Sequence, residues 1–462
     1  MSKLVFLLPV LAVALLPVYF LYLKPAQPVP EVDLQAWWGA GPPKEDTRIR
    51  PFNITFNDEL VNDLKDRLKN HRQFTPPLEG VGFEYGFNTK TLETWVQYWQ
   101  TKYDFAAREK FFNQYSHYKT NIQGLDMHFI RVKPLVPAGV ELVPVLILHG
   151  WPGSVREFYE AIPHLTAVSK DRNFALELII PSLPGYGFSG GAVRPGFGPI
   201  EMAVVLRNLM HRLGFERFYL QGGDWGSVIC ANIATLFPKE VLGYHANVSF
   251  LQTSSSIFFT LLGSLYPPLV VDSHLAYRMY PLSEKLSSLL EETGYLHIQA
   301  TKPDSLGVGL QDSPSGLLAY LVEKFSTGTN IDYRKLVDGG LERKFTKDQI
   351  LDNLMMYWSS GSIVTAIRLY AEGFNKKYTS LKMDEVPTPV PTWIIQVKND
   401  ISYVPPFLIR QKYHNLLGSP TLDYGGHFFA LELPEVFSAD VLKAIGRFQD
   451  WHKEKKTRHI EM

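Results

Sequence analysis

The chain has 462 residues, 45% hydrophobic and 20% charged, which allows one to three domains and a sizeable packed core. Its formal net charge is zero, so nucleic acid is excluded as the main partner. A single cysteine, Cys230, rules out an internal disulfide and reads as an inert core thiol. No Cys/His cluster has metal-ligand spacing and no phosphate or dinucleotide loop is present, so neither metal nor cofactor is expected.

In chain order, Leu4 to Leu23 is an uncharged run between Lys3 and Lys24. It is long enough to cross a bilayer as a helix of roughly 20 residues, and no small-residue cleavage site follows it. A retained membrane anchor over residues 1–24 is the expectation; the balanced lysines leave its orientation open. The sequons at Asn53 and Asn247 would matter only in a lumenal body and read as chance occurrences.

Residues 25–35 form a Pro-rich linker. Trp37 and Trp38 form a bulky pair expected to dock on the body. Helical periodicity follows over 56–70, with Leu60, Val61, Leu64 and Leu68 on one face, and an aromatic, mostly helical pattern runs over 92–112. The whole of 25–138 is expected to be an N-terminal extension that packs on the core. Within it, His117 to Lys133 alternates like paired strands around Gly124.

Four short apolar runs then end in distinctive loops. Pro144–Leu148 leads into His149-Gly150-Trp151-Pro152-Gly153, and Leu176–Ile180 into Pro181-Ser182-Leu183-Pro184-Gly185-Tyr186-Gly187. Phe218–Gln221 leads into Gly222-Gly223-Asp224-Trp225-Gly226, and Thr392–Val397 into Lys398-Asn399-Asp400. Continuous apolar strands separated by helices predict a parallel sheet covered on both faces, with ligands beyond the carboxyl ends of its strands. The core is expected over 139–245 and 386–462. Between them, 246–385 loses the strand pattern and is expected to be a helical lid, with Ser313-Pro314 opening one helix.

Gly222-x-Asp224-x-Gly226 after a strand and before a helix, expected over Val228–Phe237, has the form of a nucleophile elbow. Its glycines answer the tightness of the turn. An Asp at its centre decides the chemistry, because a carboxylate needs no base to attack an sp³ carbon and form an ester. Ser227 lies one residue past the second glycine, inside the helix start, and is set aside as a rival. Backbone N–H groups of Trp151 and Trp225 are the expected oxyanion hole, while the His149 side chain reads as structural.

His427, after Gly425-Gly426, completes the chain order nucleophile, acid, histidine of this fold, an α/β-hydrolase, with Asp400 as the acid. Asp423 and Glu432 are closer to His427 in sequence but lie off the end of the preceding strand.

These motifs, with Gly294-Tyr295-Leu296-His297, Thr301-Lys302-Pro303-Asp304 and Asp338-Gly339-Gly340-Leu341-Glu342-Arg343 in the lid, resemble the microsomal epoxide hydrolase family over nearly the whole chain. Within it the insect juvenile hormone epoxide hydrolases are the most similar. The resemblance implies hydrolysis of a lipophilic epoxide, juvenile hormone or its acid. It also implies two lid tyrosines, Tyr295 and Tyr370, that donate to the ring oxygen, and a single-pass anchor in the endoplasmic reticulum with a cytosolic body. Many vertebrate-type members carry Glu where this chain has Asp400, which leaves the acid's geometry open. Two other readings of the residues are a haloalkane dehalogenase, which would share the Asp nucleophile, and a non-catalytic hormone-binding protein. Oligomeric state has no signal in the sequence.

Overall fold

The computed structural model describes residues 15–460. Its centre is a nine-stranded sheet in the order β1-β2-β3-β5-β4-β6-β7-β8-β9. The strands are β1 (Arg50–Phe52), β2 (His117–Ile122), β3 (Leu125–Val132), β4 (Glu141–Leu148), β5 (Phe174–Pro181), β6 (Phe218–Gly222), β7 (Val241–Ala246), β8 (Thr392–Ile394) and β9 (Leu416–Gly418). From β5 to β9 all neighbours are parallel, whereas β1, β2, β3 and β5 pair antiparallel. Every residue of β5 and β6 is buried, as expected for strands covered by helices on both faces.

The four apolar runs read from the sequence are β4, β5, β6 and β8. The last is shorter than its run to Val397: the continuous ladder stops at Ile394, and beyond it the backbone pairs only through isolated bridges, Gln396 with Thr421 and Asn399 with Gly426. β7, interrupted by Gly243 and His245, and the three-residue β1 and β9 have no such apolar signature. The strands at 117–132, assigned by sequence to the extension, are hydrogen-bonded into the sheet through β3 and β5. The rest of that region does pack on the core. Its helices run Asp58–Lys69, Thr89–Thr101 and Phe105–Phe112, and they bury Leu64, Leu68, Trp95, Trp99 and Phe112 in the main hydrophobic cluster. Trp38 packs on Phe197 with ring centroids 4.9 Å apart.

The chain leaves the sheet after β7, builds helices, and returns at β8. This insertion includes Ser254–Gly263, Gly294–Thr301, Pro314–Thr329, Lys347–Trp358 and Ile363–Phe374. Ser313 caps the Pro314 helix, its hydroxyl accepting the Gly316 N–H at 3.0 Å. Lid, extension and core meet at Asp352, whose side chain is fully buried. Its carboxylate accepts Arg156 Nε at 2.9 Å, Arg108 Nε at 2.8 Å and Tyr103 O–H at 2.9 Å. A buried carboxylate persists only with partners of this kind.

Residues 4–14 of the expected anchor lie outside the described residues. Residues 15–23 are helical, closing in a π-turn over Tyr19–Leu23. Among the described residues no helix is long and apolar enough to cross a membrane.

Candidate active site

β6 ends at Gly222 and the next helix begins at Asp224 itself, four residues earlier than the apolar periodicity indicates. Asp224 has φ +48°, a left-handed conformation that costs a non-glycine residue about 1–2 kcal/mol. This turn lifts its carboxylate off the sheet edge. The glycines answer steric limits. A Cβ on Gly226 would lie 2.2 Å from the Leu148 carbonyl oxygen, and one on Gly222 would lie 2.4 Å from the Gly226 carbonyl oxygen. Gly150 matters equally, because a Cβ there would meet Asp224 Oδ1 at 2.2 Å.

Asp224 Oδ1 accepts the Trp151 backbone N–H at 2.8 Å. The Trp225 N–H, the other expected oxyanion donor, makes no such contact with the carboxylate. On the other side of Asp224, His427 Nε2 lies 3.4 Å from Oδ2. His427 Nδ1 donates to Asp400 Oδ1 at 2.8 Å, and the Ile401 N–H donates to the same oxygen at 2.7 Å. The structure thus brings Asp224, His427 and Asp400 together. Burial opposes a charge on His427, but the Asp400 and Asp224 carboxylates outweigh it and hold its pKa well above the ordinary histidine value. Asp423 is exposed, and Glu432 instead accepts the Gly426 N–H at 2.8 Å, so neither meets the imidazole.

His149 is buried and held at both ring nitrogens. Nδ1 donates to the Gly150 carbonyl at 2.9 Å and Nε2 accepts the Leu183 N–H at 3.1 Å. Burial lowers its pKa to about 4, so the ring stays neutral and ties the loop after β4 to the loop after β5. Ser227 donates its hydroxyl to the Asp224 carbonyl at 2.7 Å, as a helix residue does.

The lid brings Tyr295 and Tyr370 together above Trp151. Tyr295 stacks on the Trp151 indole at 5.0 Å, Tyr370 meets it edge-on at 5.8 Å, and the two phenol rings lie 6.0 Å apart. Trp225 closes the cluster against Tyr370 at 5.1 Å. Burial, with the Asp224 carboxylate nearby, raises both phenols well above the ordinary tyrosine value. Both are therefore protonated donors at neutral pH. Two further polar groups at the site have no motif in the sequence. Asn247, after β7, accepts from the Gln221 amide at 3.1 Å, and Glu157 lies in the 3₁₀ turn Val155–Phe158. Among the described residues no group of His, Cys, Asp and Glu side chains could hold a metal.

Fold and site together define an α/β-hydrolase with a carboxylate at its elbow and a helical lid over it. The sequence matches the family described as epoxide hydrolase N terminus over residues 49–158, and the alpha/beta hydrolase fold over 143–265. It is 58% identical to the juvenile hormone epoxide hydrolase of Bombyx mori, over 97% of this chain and 98% of that protein. It is 43% identical to epoxide hydrolase 1 of Oryctolagus cuniculus, over 89% of this chain and 92% of the relative. The crystal structure of the Bombyx mori enzyme superimposes with a TM-score of 0.90, covering 91% of this chain and 100% of that one. The Aspergillus niger epoxide hydrolase, 25% identical, reaches 0.72, with 87% of this chain and 97% of that one covered. The chain belongs to the epoxide hydrolase family. That membership sets aside the dehalogenase and the non-catalytic binding protein.

Proposed function

We propose that this enzyme converts lipophilic epoxides, juvenile hormone among them, to vicinal diols through an alkyl ester on Asp224. The observation that carries the reading is a carboxylate, rather than a hydroxyl, at the elbow, with one oxygen already held by a backbone N–H. Asp224 Oδ2 attacks an epoxide carbon and the C–O bond of the ring breaks. Tyr295 and Tyr370 donate to the leaving oxygen, which takes up a proton and becomes the first hydroxyl. Oδ1, facing the Trp151 N–H, becomes the ester carbonyl oxygen, with the Trp225 N–H as second donor once negative charge develops there.

Esterification removes the charge of Asp224, and with it one of the two carboxylates that keep His427 protonated. The imidazole then gives up its Nε2 proton, which balances the proton taken up through the phenols by the ring oxygen, and serves as general base for water, while Asp400 holds its Nδ1–H. Water attacks the ester carbonyl carbon, and the diol leaves carrying Oδ2. No step calls for a cofactor.

A single turnover with excess enzyme in H₂¹⁸O tests the route. Unlabelled diol is the expected first product, its new oxygen supplied by Asp224. Fully labelled first-turnover diol rejects the ester. Turnover of labelled juvenile hormone beside a simple aryl epoxide tests the substrate; the hormone should have the higher kcat/KM, and failure to turn it over rejects that assignment. The support for the hormone is the name carried by the Bombyx mori relative.

We also propose that residues 4–23 anchor the chain in the endoplasmic reticulum membrane, with the body on the cytosolic side. The uncharged run supports this, as does Lys24, whose ammonium donates to Ser254 at 2.6 Å and pairs with Glu385, tying the end of the run to the body. Alkaline carbonate should leave the full-length protein in the membrane pellet, and its release rejects the anchor. Asn53, which is exposed, should carry no glycan; a glycan there rejects the cytosolic placement.

A further inference from the structure

A cavity of ≈ 20 Å³ lies against the Asp224 carboxylate, lined among others by His427, Asn247, Glu157, Phe158 and Ala430. Neither Tyr295 nor Tyr370 lines it. A volume of roughly 10–15 Å³ on this measure suffices for one water, provided polar partners are present. His427 Nε2, already 3.4 Å from Asp224 Oδ2, is one such partner.

Glu157 is the other. It lines this cavity, its backbone N–H donates to the Ser154 carbonyl at 3.1 Å, and among the described residues its carboxyl takes no side-chain hydrogen bond. The turn that carries it is pinned from behind by the lid helix Lys347–Trp358. Asn353 donates to the Pro152 carbonyl at 2.7 Å, Tyr357 O–H to the Gly153 carbonyl at 2.6 Å, and Arg156 Nε to Asp352 at 2.9 Å. Arg156 thus points into the lid and Glu157 into the cavity. Gly153 makes room for it: a Cβ there would sit 1.6 Å from Glu157 Oε1.

Building on the ester reading above, we propose that Glu157 is a positioning residue for the hydrolytic water, which it holds in this cavity between its own carboxyl, His427 and the Asp224 ester. The water gives one proton to His427 Nε2 as its oxygen bonds to the ester carbon. Its other O–H donates to the Glu157 carboxyl oxygen. The tetrahedral intermediate then expels the diol alkoxide, which takes the proton back from His427. Glu157 keeps its own proton throughout. Burial pushes its carboxyl up to about 8; His427 opposes the shift and the Asp224 charge adds to it. At neutral pH Glu157 is therefore neutral, and a second anion beside the nucleophile is avoided.

Single-turnover kinetics that resolve ester formation from ester breakdown test the assignment, with the ester followed by mass on the Asp224 peptide. Glu157→Leu should slow breakdown about tenfold or more and leave formation near the wild-type rate, the loss of one positioned hydrogen bond. Glu157→Gln keeps a neutral acceptor at the same place and should restore breakdown to within about threefold. Gly153→Ala, which displaces the carboxyl without removing it, should behave like Glu157→Leu. Breakdown at the wild-type rate in Glu157→Leu overturns the proposal. So does an equal loss of both steps in Glu157→Leu and Glu157→Gln, which marks a merely structural role. Absence of the ester in the wild type would instead defeat the two-step route on which the proposal rests.

Discussion

At the sheet edge, Asp224 and Asp400 each stand within six residues of a strand end, on loops that leave β6 and β8 in the same direction. In the lid, Tyr295 and Tyr370 lie on two separate helices, Gly294–Thr301 and Ile363–Phe374, and meet only because both pack over Trp151. At the edge, short hydrogen bonds hold His427 to Asp400 and both carboxylates to backbone N–H groups, whereas the lid groups are held by ring contacts. The contrast matches the division of labour in the proposed mechanism. A nucleophile and its histidine must be aligned within a few tenths of an ångström, which backbone turns and charge-assisted bonds provide. Two phenols that protonate a leaving oxygen on substrates of differing shape can rest on softer aromatic packing.

The sharpest break of that contrast comes from the edge. His427→Gln should still form the ester but lose its hydrolysis by roughly 10²–10⁴-fold, as removal of a general base predicts, and the adduct should accumulate on the Asp224 peptide. Asp400→Asn should resemble it more mildly, because His427 keeps its place and loses only control of its tautomer. Intact-protein mass after mixing with substrate reads both; turnover without adduct in His427→Gln would remove the histidine from the second step.

A lid substitution should act on the other step. Tyr295→Phe and Tyr370→Phe each remove a donor worth about 1–3 kcal/mol in the transition state, and the pair together should cut alkylation on the order of 10³-fold. Stopped-flow quenching of tryptophan fluorescence follows that step, since Trp151 lies against both phenols and Trp225 against Tyr370. Ester breakdown should be unchanged. A double mutant that alkylates at the wild-type rate removes the tyrosines from the chemistry.

The smallest effect sharpens the electrostatic side. In Asp224→Asn, His427 loses one of the two carboxylates that raise its pKa, so its imidazole should titrate at lower pH than in the wild type. The sign follows from the charge: an anion stabilises the imidazolium, and the neutral amide, like the neutral ester, does not. Histidine NMR titration measures it, and an unmoved His427 would mean that Asp400 alone sets its protonation.

Much of the edge was legible in the sequence because its signals are local. A strand end, a turn with glycines at fixed offsets and the chain order of Asp224, Asp400 and His427 can each be read without knowing the fold's packing, and the Gly226 and Gly222 contacts supply the steric reason for that spacing. The same locality made Ser313 readable as a cap and made the tryptophans and leucines of 56–112 readable as a packing layer. The start of the elbow helix escaped by four residues, because apolar periodicity cannot register a helix whose first turn holds Asp224, Trp225 and Gly226.

Only the tertiary structure decided the rest. Tyr295 and Tyr370 stand out among 23 tyrosines through resemblance to relatives, since no periodicity links two separate lid helices. The loop of His427 is seated by the lid: its N–H donates to the Gly328 carbonyl at 2.7 Å, and Phe428 stacks on Phe325 at 3.9 Å. Glu157 looks in sequence like any surface carboxylate on a helical turn. Its place in the cavity beside Asp224 follows from Arg156 being drawn the other way to Asp352, a contact between residues far apart in the chain. Composition and spacing can thus determine which chemistry a turn offers, because the turn's sterics are local. Which side chains share a buried volume depends on how distant segments fill space against one another, and no window of the sequence contains that information.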